Sequence, residues 1–202
     1  MTSVPIPNVI APHPHGERIM DVYSHLLTER IVYLGTPIDA GVANLLIAQL
    51  LHLESNAPEE DVQLYINCEG GDPSAMLAVV DTMRYIRADV ATTCVGQAVA
   101  AGAVLLAAGA SGKRAALPHA RMVLHQPSGR GQGAIPDLIL QADELVRVRS
   151  DIEGILAEAT GHDVPTLRAD TDRDQVFTAT SARSYGLIDA VVTNRDLAPT
   201  GE

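Results

Sequence analysis

Short apolar runs alternate along the chain with stretches in which apolar residues recur every three or four positions. The runs are typical of buried strands, and the wider spacing is typical of helices with one buried face. Strands are predicted at 31–34, 62–66, 90–95, 114–117, 122–125 and 189–192, and helices at 21–27, 42–53, 74–86 and 137–160. Strands that alternate with helices at short spacing indicate an α/β domain of repeated strand-helix units with parallel strands.

The stretch from Gly96 to Gly109 follows a strand and consists almost entirely of small residues. It is predicted to form a tight turn and then a buried helix that other backbone can approach closely. Such a turn can hold a reactive side chain at a helix N-terminus, where unpaired N–H groups also stabilise an oxyanion. This stretch contains no reactive side chain.

The longest predicted helix, 137–160, carries its apolar residues on a heptad seam at Leu138, Leu145, Val148, Ile152, Ile155 and Ala159. Gly161 is expected to end this helix as a C-cap. The seam can pack on its own domain or on a copy of itself, and the pattern leaves both arrangements open.

The chain has 202 residues and a formal net charge of −11. One domain with a single large core is the default at this length. The negative charge argues against nucleic acid or an anionic membrane surface as the main partner, because both require a basic face. The longest apolar run, 98–110, is shorter than the roughly 20 residues that span a bilayer, so no membrane segment is predicted.

Cys68 and Cys94 are the only cysteines, and their spacing is not that of a metal site. We expect both to be reduced core thiols, which fits a cytoplasmic protein. The first residues lack the basic and apolar regions of a secretory signal. His13 and His15 without further ligands are read as polar loop residues, so no metal is predicted, and no cofactor is expected because no nucleotide or calcium motif is complete.

Residues 1–17 carry four prolines and are expected to form an irregular or mobile arm. Residues 18–194 are expected to form one domain, and residues 195–202 a polar tail. We find no internal repeat and no linker that would divide the chain.

The remaining polar residues suit acyl transfer, which needs a nucleophile, a histidine, a carboxylate that orients it, and backbone donors for the oxyanion. Gly71 and Ala101 begin or precede predicted helices and are candidate donors. His125 ends an apolar strand, and Asp174 lies in a polar turn. Each residue also has a purely structural interpretation, as a core histidine, a turn aspartate or a tight turn.

Several ordered motifs show that the chain resembles the proteolytic subunits of the Clp protease, a family of serine endopeptidases. The resemblance extends from Gly16 to Val192. The matching blocks are 21–24 (DVYS), 29–35 (ERIVYLG), 65–67 (YIN), 70–71 (GG), 81–83 (DTM), 96–98 (GQA), 112–114 (GKR), 125–127 (HQP), 170–174 (DTDRD) and 185–189 (YGLID). The resemblance implies the Clp peptidase, crotonase-like α/β fold with a protruding handle helix at about 126–160.

By this resemblance His125 matches the general base and Asp174 the residue that orients it, while Gly71 and Ala101 match the donors of the oxyanion hole. The nucleophilic serine of the family falls on Ala100. A methyl group cannot attack a carbonyl, so the chain is expected to be inactive as a peptidase. Two explanations compete, and of these we favour replacement of a native serine to obtain an inert form, because the other site residues remain. The alternative is a natural pseudo-peptidase subunit.

Two further departures concern the segment around the paired glycines. The family usually has a serine and a proline where this chain has Cys68 and Glu69. Asp72 and Pro73 follow the glycines, and the proline removes a backbone donor near the substrate groove. A second class of function, an acyl-CoA enzyme of the crotonase type, shares the fold and the oxyanion donors; the histidine, the aspartate and the long helix argue against it.

The resemblance also implies an assembly of two stacked seven-membered rings, with Arg173 at the contact between rings and the N-terminal arm as an axial loop that gates the pore. A sister subunit in mixed rings is an alternative to identical copies. A partner AAA+ ATPase would unfold the polypeptide substrate. The matching ATPase-docking pocket comprises Leu51, Gln63, Tyr65, Tyr85, Ala115 and Val192, near His52. Because Gln63, Ala115 and His52 replace aromatic or apolar residues, weak docking is predicted.

Overall fold

The computed structural model describes residues 5–13, 16–129 and 131–194. The strands are β1 (Asn8–His13), β2 (Gly16–Asp21), β3 (Ile31–Leu34), β4 (Val62–Cys68), β5 (Val90–Val99), β6 (Arg114–Ala116), β7 (Arg121–Leu124), β8 (Gln175–Thr178) and β9 (Ala190–Val191). The helices are α1 (Val22–Thr28), α2 (Ala40–Asn56), α3 (Pro73–Tyr85), α4 (Ala101–Ala107), α5 (Ile135–Thr160), α6 (Val164–Asp170) and α7 (Ala179–Tyr185).

The main sheet has seven strands and is mostly parallel, as the alternating pattern predicts. Its order is β3-β4-β5-β6-β9, with β7 beside β5 and β8 beside β7. The strand β5 is long enough to serve two neighbours, since its first half pairs with β6 and its second half with β7. Among the described strands of this sheet, only β8 runs antiparallel to its neighbour. The α/β fold class with its long helix is therefore confirmed.

The turn predicted at Gly96 lies four residues further on, because β5 continues to Val99. Gly96 stays in the strand and leaves room for Asn67, whose side-chain oxygen would lie 2.6 Å from a Cβ at this glycine. The same Asn67 oxygen accepts a hydrogen bond from the amide of Gln97 at 3.2 Å. The sharp change of direction is thereby confined to Ala100.

The helix α4 forms the centre of the core, and all seven of its residues are buried. It packs against β4, β5, α3 and α5. A Cβ at Gly102 would lie 2.9 Å from Cβ of Cys68, so the helix approaches β4 as closely as its small residues predict. Cys68 and Cys94 are both unpaired and buried, as expected.

The long helix α5 divides its surface between two environments. Val148, Ile152 and Ile155 are buried against the domain, whereas every residue from 135 to 144 is exposed. Gly161 ends the helix with φ +77°, as the C-cap prediction requires. The seam thus packs on its own domain only over its C-terminal half. Among the described residues no helix is both long and apolar enough to cross a membrane.

The sequence pattern missed five elements, β1, β2, α6, α7 and β8. The proline-rich arm, which was expected to be irregular, contains an antiparallel hairpin in which Asn8 pairs with Asp21 and His13 with Gly16. Proline is tolerated there because a strand at an edge need not donate every amide. The short helices α6 and α7 and the strand β8 also lacked a recognisable period. Residues 1–4, 14–15 and the tail at 195–202 lie outside the described residues.

Candidate active site

Ala100 occupies the turn between β5 and α4 in a backbone conformation that L-residues rarely adopt. Its φ is +48° and its ψ is −109°, and its amide donates a 2.8 Å hydrogen bond to the carbonyl of Val123. Positive φ at a non-glycine residue costs on the order of 1–3 kcal/mol and concentrates at functional sites. Strained turns from a strand into a helix are used elsewhere to project a nucleophile.

The loop of Gly70 and Gly71 is fixed beside this turn by Ile38. The amide of Ile38 donates to the carbonyl of Gly70 at 2.8 Å, and the amide of Asp72 donates to the carbonyl of Ile38 at 2.7 Å. Gly71 has φ +139°, and a Cβ there would collide with the backbone of Ile38. Only glycine is compatible with this approach.

The amides of Gly71 and Ala101 have no backbone acceptor among the described residues. Ala101 is the first residue of α4, where an amide has no partner within the helix. Both residues border one small cavity together with Ala100 and His125. Two amides without a backbone acceptor beside a cavity can stabilise a developing oxyanion, and this role stays a prediction for Gly71 and Ala101.

The cavity has a volume of about 100 Å³ and is mostly apolar. Its lining residues are Gly71, Pro73, Met76, Ala100, Ala101, Val104, His125, Pro127, Ser128 and Ile152. His125 directly follows β7, which pairs with the end of β5, so the two strands bring His125 and Ala100 to one site.

Asp174 lies close to His125 in the strand register, but among the described residues the two side chains share no hydrogen bond or ion pair. Leu124 is opposite Gln175 in the antiparallel pair, so continuing the register by one residue places His125 opposite Asp174. The hydrogen bond of His125 Nδ1 instead joins it to the carbonyl of Gln126 at 2.9 Å. The structure brings together Ala100, His125 and the two amides, with Asp174 exposed beside them.

Cys68, next to the paired-glycine segment, is poorly suited to act as a nucleophile. It is fully buried, and its Sγ donates to the carbonyl of Gly70 at 3.2 Å. Burial raises the pKa of the Cys68 thiol, and the neutral thiol is a weak nucleophile. At position 68, where the resemblance implies a serine before the paired glycines, this chain therefore has a buried thiol.

Asp72 and Pro73 form the start of α3 and line a second groove, which shares Pro73 and Ser128 with the small cavity. The carboxylate of Asp72 accepts a 2.7 Å hydrogen bond from the amide of Ala75, and Pro73 is in the first turn. Proline is well tolerated there, since this amide would have no partner in the helix. The groove has a volume of about 660 Å³ and lies between α3 and α5, lined in part by Leu138, Leu145 and Val148.

The residues expected in the docking pocket include a row on one face of the sheet. Tyr65 lies beside Thr93, and Thr93 beside Ala115. Tyr33 lies beside Tyr65 on the other side and extends the same row, a neighbour that the sequence analysis did not identify. Parallel neighbours in register point to the same face of a sheet. Gln63 and Val192 are half-buried.

Two further residues of the expected pocket lie on helices and are exposed. Leu51 on α2 is 42% exposed, and Tyr85 at the end of α3 is 81% exposed. His52 is exposed beside Leu51. Arg173, expected at the contact between rings, extends into solvent with its side chain 94% exposed, 3.7 Å from the Asp172 carboxylate.

Comparison with known proteins gives consistent matches over nearly the whole chain. The sequence pattern of the Clp protease family matches residues 14–195. The chain is 70% identical over 196 residues to the ATP-dependent Clp protease proteolytic subunit 1 of Nocardia farcinica, covering 96% of this chain and 100% of the relative. It is 54% identical to the proteolytic subunit 2 of Streptomyces avermitilis, covering 96% and 98% of the two chains. Identity to the proteolytic subunit 4 of Rhodococcus jostii is 55%, covering 95% and 99%.

Proposed function

The chain belongs to the Clp protease family, and we propose that it is a proteolytic-subunit homologue of an ATP-dependent serine protease whose own site cannot cleave peptides. The observation that carries this proposal is Ala100, held at positive φ beside His125 and two unpaired amides. An alanine methyl offers no electron pair to the peptide carbonyl, so no acyl-enzyme can form. The remaining parts of the site would bind and polarise a peptide without cleaving it.

The origin of Ala100 has two explanations. In the first, a native serine was replaced. The positive φ of Ala100 supports this explanation, because a strained backbone has a use when it positions a nucleophile and none when the turn carries a methyl group. In the second, the subunit is a natural pseudo-peptidase that completes mixed rings with an active sister. The segment of Asp72 and Pro73 supports the second explanation. Its sequence departs from that of the family, yet Asp72 caps α3 and Pro73 fits its first turn without strain. The codon at position 100 of the native gene distinguishes them.

Assembly into two stacked seven-membered rings fits the exposed apolar residues on the first turns of α5. Ile135 is 75% exposed, Ile139 56% and Leu140 67%. Contiguous exposed apolar side chains indicate a surface that another protein covers. The occupant proposed is the α5 helix of a subunit in the opposite ring, with Arg173 at the same contact. In the same proposal, residues 1–17 form the axial loop that gates the pore.

A Clp-type AAA+ ATPase is the proposed partner on the face that carries Tyr65 and Tyr85. Aromatic residues at the surface anchor docked loops, and two of them remain here: Tyr65 is half-buried and Tyr85 is exposed. Gln63 and Ala115 supply little apolar area, so docking on this subunit should be weaker than on a subunit with aromatic residues at both positions. The complex would act on unfolded polypeptides in the cytoplasm, where the two thiols stay reduced.

The experiment that tests the inert-site proposal introduces the missing hydroxyl. Ala100→Ser should react with a fluorophosphonate at residue 100, and the unaltered chain should not react. Ala100→Ser combined with His125→Gln is the matched control, because it keeps the hydroxyl and removes the base. Peptide mass mapping identifies the labelled residue. Labelling of the unaltered chain at Ser128 would overturn the proposed inertness, and an unreactive hydroxyl in Ala100→Ser would overturn the proposal that the site is otherwise complete.

A further inference from the structure

A buried carboxylate lies where the helix α5 meets α6. Glu153 is 3% exposed, and among the described residues no other acidic side chain is buried. Its Oε1 accepts from Arg149 at 2.7 Å and from Arg168 at 3.0 Å, and its Oε2 accepts from Arg168 at 2.5 Å. The hydrogen bonds from Arg168, together with those from Arg149, hold the pKa of Glu153 below its ordinary value despite burial. Glu153 is thus a charged link between α5 and α6.

Arg149 carries this link on to the segment that follows β7. Its Nη1 donates to Oε1 of Gln126 at 2.9 Å. Gln126 in turn holds the residues that follow α6, since its amide donates to the carbonyl of Thr171 at 2.8 Å and its Nε2 to the carbonyl of Asp172 at 3.1 Å. The segment after β7 and the turn after α6 are therefore bonded to each other as well as to α5.

These hydrogen bonds close into a circuit, which we call the Glu153 circuit. It runs from Glu153 through Arg168 and the end of α6 to the turn at 171–172, and returns through Gln126 and Arg149. The space bordered by its members is only about 10 Å³, which leaves room for one water at most. A fully satisfied network of this kind holds its members rigidly, because moving one of them breaks bonds to two others.

The two segments that the Glu153 circuit joins lead directly to the histidine and the aspartate of the site. His125 immediately precedes one segment, and Asp174 follows the other within two residues. The register of β7 and β8 places them opposite each other, but the two strands pair over only four residues, from Arg121 with Thr178 to Leu124 with Gln175. So short a pairing ends just before His125 and Asp174, and the circuit fixes the backbone beyond it.

We propose that Glu153 is a positioning residue for Asp174. Through Arg168 it holds α6 and the turn that leads to Asp174. Through Arg149 it holds the segment that follows His125. The Asp174 carboxylate can then meet the imidazole with little further loss of conformational freedom. The roles of the histidine and the aspartate rest on the proposed function, whereas the Glu153 circuit does not.

The test is a double-variant cycle in the Ala100→Ser background, measured as the rate of fluorophosphonate labelling at residue 100. Glu153→Gln should lower this rate about tenfold, because a base without an aligned carboxylate transfers the proton poorly. Asp174→Asn should lower it at least as far. In the chain that carries both changes, Glu153→Gln should have no additional effect, since the residue that it positions is already altered. A loss of equal size with and without Asp174→Asn would show a merely structural role and overturn the proposal, as would an unchanged rate in Glu153→Gln alone.

Two further variants separate this role from general effects on the fold. Glu158→Gln is the matched control, because Glu158 lies on the same helix and joins it to α3 through a 2.7 Å pair with Arg84; the labelling rate should not change. Arg168→Met guards against a folding defect in Glu153→Gln, since the Arg168 side chain is 56% exposed and Glu153 keeps its pair with Arg149. It should reproduce the loss, and only where Asp174 is present. An equal loss in Glu158→Gln would count against the proposal.

Hydrogen exchange tests the Glu153 circuit without any activity, in the chain that keeps Ala100. The amide of Gln126, which donates to Thr171, should exchange about tenfold faster in Glu153→Gln and in Arg168→Met, measured by mass spectrometry of peptides spanning 124–128. Glu158→Gln should leave this exchange unchanged. Unaltered exchange in both circuit variants overturns the positioning. If the hydroxyl introduced by Ala100→Ser fails to react at all, the proposed function fails, while the exchange rates still decide whether the circuit holds this segment.

Discussion

The amide of Ala100 donates a 2.8 Å hydrogen bond to the carbonyl of Val123, and this bond ties the strained turn to β7, the strand that His125 directly follows. Val123 is two residues from His125, so the distance from position 100 to the imidazole is set by backbone. A hydroxyl at position 100 would be placed by the same bond. The backbone position of residue 100 relative to β7 therefore does not depend on the side chain at this position.

Ala100→Gly should stabilise the fold. Glycine has no Cβ to oppose φ +48°, and relief of that strain exceeds the entropy that glycine loses on folding. We expect a gain of about 1 kcal/mol in the free energy of unfolding, measured by chemical denaturation. Ala103→Gly, inside α4, is the matched control and should cost about 1 kcal/mol. A loss of stability in both variants would show that Ala100 is not strained.

Gly71→Ala should destabilise the protein and displace the oxyanion loop. The new methyl would overlap the backbone of Ile38, which cannot move because it also holds Gly70 and Asp72. We expect a loss of more than about 2 kcal/mol. Gly112→Ala has φ +79° with open space around it, so it should cost only about 1 kcal/mol. Similar losses in the two variants, in parallel denaturation curves, would mean that the collision with Ile38 is unimportant.

Asp189→Asn should weaken the fold at neutral pH. Arg114 donates to both carboxylate oxygens of Asp189, at 2.6 and 3.0 Å, and the guanidinium is buried. Breaking this pair should cost about 2–3 kcal/mol at pH 7. Asp61→Asn removes a partner of Lys113 from a more exposed pair and should cost less than about 1 kcal/mol.

The same pair gives a dependence of stability on pH. Burial raises the pKa of Asp189, but the hydrogen bonds from Arg114 lower it by more, so the folded pKa lies below the ordinary value. The carboxylate therefore stabilises the fold above the unfolded pKa of about 3.9 and loses this effect as pH falls through the lower folded pKa. The free energy of unfolding should fall less steeply with acid in Asp189→Asn. Equal slopes below pH 4 would contradict this assignment.

Restoring aromatic residues should strengthen docking of the ATPase. Gln63→Tyr with Ala115→Phe adds two anchors beside Tyr65, and each anchor contributes about 1 kcal/mol or more. We expect at least about tenfold tighter binding of a peptide that copies the docking loop of the cognate Clp ATPase, measured by fluorescence polarisation. Leu45→Phe places an aromatic residue elsewhere on α2 and should not alter the affinity. Unaltered protein that binds as tightly as the double variant would refute the weak pocket.

Local pattern predicted most of the sheet and the long helices. The strand at 31–34 and the end of α5 at Gly161 lie where the sequence places them, because burial period and capping chemistry act over a few residues. The hairpin at 8–21 and the helices α6 and α7 did not follow from pattern. All three are short: the hairpin is held by pairing between its own strands and by α1, whereas α6 packs on α5 and α7 on β7, β8 and β9.

The sequence by itself showed a stretch of small residues after a strand, with alanine at position 100, which the family resemblance matches to a nucleophile. By the same resemblance it made His125, Asp174 and the paired glycines candidates for the site. Tertiary structure alone decided that β5 extends to Val99, that Ile38 forces glycine at position 71, and that Gln126 rather than Asp174 accepts from His125. The reason is physical: propensity and spacing act along the chain, whereas the pairing of β5 with β7 and the approach of Ile38 to Gly71 join segments that are distant in the sequence. The contact between His125 and its neighbour Gln126 depends on the rotation of one side chain, which a sequence pattern does not specify.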